Sequence, residues 1–153
     1  MGLRDRYIRP KLVFRDATLT VLLREIGRRG GFGACWLATA DGLLVASVPI
    51  DLDAETAAAM VALVGETVER VRVRMALPGV DEVSVLFRNS TGLVCRFFEV
   101  GDEGFILAVL LPAGREYRAL MDEAIRRVLE VWAMSASPDL AAPVTAQPAG
   151  LYS

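Results

Sequence analysis

Residues Gly33–Val48, "GACWLATADGLLVASV", decide how the rest of the chain is read, because an apolar run is broken at its centre by Asp41-Gly42. On either side, Ala34 to Thr39 and Leu43 to Val48 are short and rich in apolar and β-branched residues, as strands are. Asp and Gly both tolerate positive φ, which matches the twist of paired strands, so the stretch predicts a β-hairpin. The competing reading is an acidic active-site loop. That loop needs a second carboxylate, and the nearest in sequence are Asp51 and Asp53. Turn chemistry favours the hairpin. Pro49 removes a ladder donor, so the second strand is expected to end there, near a sheet edge.

Upstream, Leu19, Leu22, Leu23 and Ile26 recur at helical spacing between Asp16, a candidate N-cap, and the stop signal Gly30-Gly31. The preceding residues are Arg-rich and interrupted by Pro10, and read as an arm. Downstream, "DAETAAAMVALVGETVERVRVRMALPG" opens at Asp53 with acidic residues suited to a helix N-terminus and closes at Pro78-Gly79. Ala57, Val61, Val64, Val68, Val71 and Met75 form one stripe along it, widened by Met60, and Ala54, Ala58, Ala62 and Gly65 form a second ridge. Together they cover about half the helical wheel, whereas packing on one sheet needs an arc of only about 100°. The expectation is a helix with two partners.

Three strands follow, at Glu82 to Arg88, Leu93 to Val100 and Phe105 to Leu111, separated by the turn signals Asn89-Ser90-Thr91-Gly92 and Gly101-Asp102-Glu103-Gly104. "FILAVLL" is apolar on both faces and predicts the central strand; "EVSVLFR" alternates and predicts an edge. Tyr117, Leu120, Met121, Ala124, Val128, Val131 and Trp132 define the inner face of a last helix. The domain division read from this pattern is an arm at 1–15, one domain at 16–134, and an Ala-, Pro- and Ser-rich tail at 135–153 expected to be disordered.

Composition removes whole classes of function. The 153 residues are 54% hydrophobic, above the ~45–50% usual for soluble domains, so apolar surface is left over for burial between subunits. No stretch reaches the ~18 uninterrupted apolar residues of a membrane-spanning helix, and the reading is a soluble cytoplasmic protein with no membrane insertion. A net charge of −2 gives no general footprint for nucleic acid or anionic membrane. There is no histidine, which removes His-based acid–base pairs and imidazole metal sites. The single lysine, Lys11, lies between Pro10 and Leu12 rather than in a phosphate-binding loop.

The remaining motifs have structural readings. Cys35 and Cys95 sit in apolar strand contexts and read as core thiols without an activating base. Gly30-Gly31-Phe32-Gly33 follows a helix and precedes a strand, the reverse of a dinucleotide fingerprint, and reads as a helix C-cap. Asn89-Ser90-Thr91 matches a glycosylation acceptor and reads as a turn. Arg70, Arg72 and Arg74 alternate, so consecutive members point about 200° apart and form no single anion patch. Glu66 and Arg70, at i and i+4, are expected to pair on the helix surface.

This order of elements, carried on "GACWLATADGLLVASV" followed by "DAETAAAMVALVGETV", resembles the roadblock light-chain family over about residues 16–134. The resemblance implies an α+β, profilin-like sandwich with a five-stranded antiparallel sheet in the order 2-1-5-4-3. The first and last helices lie on one face and the long middle helix on the other. It further implies a homodimer joined through middle helices and third strands. Carried over by position, the seam would be Ala58, Ala62 and Gly65 on the helix with Val83, Val85 and Phe87 on the strand. Family members are non-enzymatic regulators or scaffolds of Ras-like small GTPases, which implies such a partner here and no cofactor or metal. Candidate partner contacts are Glu66, Glu69, Arg70 and Arg74. Two other readings stand beside this one: a small-molecule-binding sensor domain, and a small enzyme built on Asp41, Asp51 or Asp53.

Overall fold

The computed structural model describes residues 3–49 and 53–135, with the helical backbone alone for 3–16 and 135. Asp51 and the expected tail beyond Ser135 therefore lie outside the described residues. The elements run α1 (Leu3–Gly30), β1 (Ala34–Thr39), β2 (Leu44–Val48), α2 (Ala54–Arg74), β3 (Glu82–Leu86), β4 (Thr91–Val100), β5 (Glu103–Pro112) and α3 (Arg118–Ser135). The strands form one antiparallel sheet in the order β2-β1-β5-β4-β3. Order, sheet and strand sequence are those expected. "FILAVLL" lies at the centre of the sheet and "EVSVL" at an edge.

β5 is central because both of its faces are apolar. Phe105, Leu107 and Val109 point to the side covered by α1 and α3, where they meet Leu19, Leu23 and Ile26 of α1 and Met121, Ala124 and Val128 of α3. Ile106 and Ala108 point to the other side, where they meet Val61 and Ala62 of α2 together with Cys95. The Trp132 ring stands edge-on to Phe105 at 4.7 Å between centroids, closing the larger core at the end of α3.

The hairpin turn is real but its chemistry differs in detail from the expectation. Gly42 alone adopts positive φ, at 96°, while Asp41 does not. The Gly42 amide donates to the Thr39 carbonyl at 3.0 Å, and the Leu43 amide donates to Thr39 Oγ1 at 3.0 Å. Thr39 thus supplies both acceptors that close the turn. At the end of α1, Gly31 takes φ 64° and the Phe32 amide donates to the Gly27 carbonyl at 2.8 Å, the C-cap expected there.

Two helix starts differ from the sequence reading. α1 begins at Leu3, so the expected arm is the first half of the helix and Asp16 lies inside it rather than capping it. Propagating a helix from the packed Leu19–Ile26 half adds one bond per residue, whereas stopping and restarting it requires a second nucleus, so one proline does not end it. At α2, Asp53 occupies the N-cap position, but no side-chain cap bond forms there. α2 also ends earlier than Pro78-Gly79. Ala76 takes the left-handed conformation at φ 53°, and the Leu77 amide donates to the Arg72 carbonyl at 2.9 Å.

Candidate functional site

α2 decides which surfaces are available to a partner. It packs chiefly on β1, β2 and β5 and reaches the Phe97 ring of β4 at Gly65. The small ridge makes that packing possible. Ala54, Ala58 and Ala62 are buried, and a Cβ at Gly42 would lie 3.4 Å from Ala59 Cα and from Ala62 Cβ, so the hairpin and the helix approach closely. Gly65 faces inward as well, since a Cβ there would sit 3.1 Å from the Phe97 ring.

The helix half of the expected seam is therefore corrected. Ala58 is 0% and Ala62 7% exposed within the single chain, so neither offers surface to a second copy. The bulkier apolar residues lie outside instead: Met60 is 63% and Leu63 60% exposed, and Val71 and Met75 are exposed as well. Small side chains let the helix sit close to a sheet that already carries Trp36, Phe97 and Ile106. Large ones are displaced to the far side. Between Leu63 and Val71, Thr67 donates its hydroxyl to the Leu63 carbonyl at 2.9 Å, which satisfies the oxygen inside the helix.

β3 supplies the second part of the surface. Its pairing with β4 places Val83 opposite Cys95 and Val85 opposite Leu93, on the side of the sheet that carries α2. Phe87 continues that alternation and, like Val85, is exposed. The opposite side is polar and tied to α3: Tyr117 donates to Glu82 Oε2 at 2.8 Å, and Arg96 donates to Asp122 Oδ1 at 2.7 Å. One face of the β3 edge is thus engaged within the chain, and the other is apolar and open. The Tyr117–Glu82–Arg96–Asp122 arrangement had no signal in the sequence, because its members come from separate elements far apart in the chain.

Between the C-terminal half of α2 and the β4–β5 hairpin lies an open cleft of about 870 Å³, floored by Phe97 and Ile106 and walled by Val68, Glu69, Arg72 and Asp81. The charged candidates divide here. Glu69 receives both Arg72 Nε contacts at 2.9 Å, and this bonding, then the guanidinium charge, holds its carboxyl below the usual carboxylate range. The expected Glu66–Arg70 pair does not form among the described residues; Glu69–Arg72 takes its place. Glu66, Arg70 and Arg74 are exposed, one helical turn apart, along the flank of the outer apolar stripe.

The nucleophile candidates are closed off. Cys35 and Cys95 are free and buried, and desolvation pushes their thiols up to about 12 and about 11 respectively. Among the described residues no group of three acidic, cysteine or histidine side chains could hold a metal ion. No described helix is long and apolar enough to cross a membrane.

No family model matches the sequence, and no curated protein sequence matches it. Solved structures do match the fold. Myxococcus xanthus MglB superposes with a TM-score of 0.67 at 11% identity, over 79% of this chain and 92% of that one. A Roadblock/LC7 domain from Streptomyces avermitilis gives 0.63 at 24% identity, over 75% and 95%. The gliding protein MglB of Thermus thermophilus gives 0.59 at 17% identity, over 81% and 92%. The chain has the roadblock fold.

Proposed function

We propose that two copies of this chain pair through the outer face of α2 and the open side of β3, and that the dimer binds a Ras-like small GTPase as a non-catalytic regulator or scaffold. The observation that carries the pairing is the exposure of large apolar residues on both elements, Met60, Leu63 and Val71 on α2 and Val85 and Phe87 on β3. Isolated apolar residues on a surface are ordinary, but an exposed apolar helix stripe together with an open strand edge offers what a second copy can bury. The GTPase rests on the roadblock resemblance, with Glu66, Arg70 and Arg74 as the charged contacts beside the seam. Hydrolysis of GTP depends largely on positioning and charge, so a protein without catalytic residues can modulate it by arranging the GTPase's own groups.

The test is native mass by sedimentation at tens of micromolar, followed by capture from lysate on the immobilised chain with GDP and with a non-hydrolysable GTP analogue in parallel. A dimer that retains a small GTPase preferentially with one nucleotide supports the proposal. A monomer at that concentration refutes the pairing, and a dimer that retains no GTPase with either nucleotide refutes the partner.

The cleft beside α2 favours a second reading, a sensor for a small molecule. A thermal-shift screen in which no metabolite raises the melting temperature counts against it.

A further inference from the structure

Beneath the C-terminal half of α2, an aromatic ring on the sheet stands between two carboxylates. Phe97 pairs with Ile106 on β5, and its amide donates to the Asp81 carbonyl at 3.0 Å, which continues the β3–β4 register by one residue. Asp81, Phe97 and Ile106 therefore form one row across the sheet, on the side that carries α2. Side chains alternate along a strand, so Glu99, two residues beyond Phe97, stands on that side as well. Backbone to backbone, Asp81 is about 5 Å from Phe97 across the strands and Glu99 about 7 Å from it along β4. All four residues line the cleft of about 870 Å³, with Val68 and Val80 as further apolar wall.

Two lining positions keep the space open. Gly65 on α2 and Gly104, which pairs with Glu99, present no side chain to it. A Cβ at Gly65 would lie 3.1 Å from the Phe97 ring and one at Gly104 3.0 Å from Ala40 Cβ, so neither position can be filled without displacing a neighbour. The charges around the cleft do not balance: four carboxylates and two guanidiniums line it. Glu69 and Arg72 bond to each other, which leaves Glu66, Asp81 and Glu99 against Arg70. None of those four takes part in an ion pair among the described residues. Phe97 is only partly buried, so its ring is the apolar surface that these charges surround.

We infer that this cleft binds a small organic cation, an amine or guanidine on an apolar body, with the body against Phe97 and the cation between Asp81 and Glu99. The inference rests on the small-molecule reading of the cleft and adds the chemical class of the ligand; it does not depend on the dimer or on the GTPase. A pocket of this size suits a small ligand held by apolar contact and oriented by a few polar groups. The negative face of an aromatic ring attracts a cation, and a carboxylate on either side of the ring adds to that attraction. The same excess of carboxylates repels an anion, and a neutral molecule gains the apolar contact alone. A bare metal ion is not the occupant, since among the described residues no three acidic or cysteine side chains are grouped to hold one.

The test is a titration of the full, isotope-labelled chain followed by amide NMR shifts, with three probes of one shape and different charge: phenylbutylamine, phenylbutanol and phenylbutyrate. At low millimolar concentration the amine is expected to move the signals of Gly65, Phe97 and Gly104, less so as salt is raised, while the alcohol and the acid leave them in place. Asp81→Asn and Glu99→Gln each raise the Kd of the amine about threefold, the worth of one exposed ion pair. Glu55→Gln, the same charge change in the first turn of α2, leaves it unchanged. All three side chains are exposed, so each variant should keep the native pattern of signals. Equal binding of the alcohol or the acid at the cleft signals overturns the cation and leaves the small-molecule reading standing. Binding of none of the three overturns both. A Kd for the amine unchanged in both Asp81→Asn and Glu99→Gln, or shifts confined to other surfaces, also overturns the inference.

Discussion

Adjacent residues on α2 separate the fold from the dimer, and a pair of substitutions reads the difference. Leu63→Glu replaces a side chain that is 60% exposed on the outer face, so the isolated chain loses little. In a symmetric dimer the change occurs twice. Full burial of a leucine side chain is worth about 1.5–3 kcal/mol, so burying the exposed 60% is worth about 1–2 kcal/mol per copy and about 2–4 kcal/mol per dimer. That converts to roughly a 30- to 1,000-fold rise in Kd, before any cost of desolvating two carboxylates. Ala62→Glu behaves differently. Ala62 is 7% exposed and its Cβ lies 3.4 Å from where a Cβ on Gly42 would be, so a carboxylate there must be buried or the helix must lift from the hairpin. Burying an unpaired charge costs several kcal/mol against a total stability of about 5–15 kcal/mol. Sedimentation equilibrium and urea unfolding measured on both variants decide the case. Leu63→Glu should shift the mass to monomer with its unfolding otherwise intact, and Ala62→Glu should lose stability at the level of the single chain. A stable, folded Ala62→Glu that is merely monomeric would refute the burial reasoning and restore the small-residue ridge to the seam.

Gly42→Ala places a Cβ on a residue at φ 96° and should destabilise by about 1–2 kcal/mol, lowering the melting temperature by roughly 2–8 °C. Ala76→Gly relieves the same strain at φ 53° and should stabilise by about 0.5–1 kcal/mol after the added freedom of the unfolded chain is subtracted, visible as a higher urea midpoint at unchanged slope. With their thiols held protonated by burial at about 12 and about 11, Cys35 and Cys95 should resist iodoacetamide at pH 8 in the native protein and both react in urea; rapid native labelling of either contradicts the burial. In the α1–α3 ion network, bonding from Arg127 and Arg29 lowers the carboxyls of Glu25 and Glu123 below the ordinary value. A lowered carboxyl stabilises the fold above its unfolded pKa, and that contribution is lost as pH falls through the folded value. Melting temperature should therefore drop on acidification below about pH 5, and less steeply in Glu123→Gln; parallel curves for the two proteins would sink the idea.

The order of elements was legible because each carries its own period: alternation in "EVSVL", apolar faces on both sides of "FILAVLL", and helical spacing at Leu19–Ile26 and Met121–Val128. Turn residues marked the joints, although Gly42 alone took the special φ expected of both Asp41 and Gly42. The excess of apolar surface on α2 was legible too. Which side of α2 met the sheet was not, since Ala58 and Met60 both satisfy a hydrophobic pattern and only their sizes differ.

Local sequence determined the identity and order of the strands and helices and the approximate extent of all but α1, because hydrophobic period and turn chemistry act over a few residues. Tertiary structure decided the orientation of α2 and the Tyr117–Glu82–Arg96–Asp122 arrangement. In the first, the hairpin at Gly42 admits only small side chains beside it, so steric fit rather than hydrophobicity sends Ala58 and Ala62 inward and leaves Met60 and Leu63 for a partner.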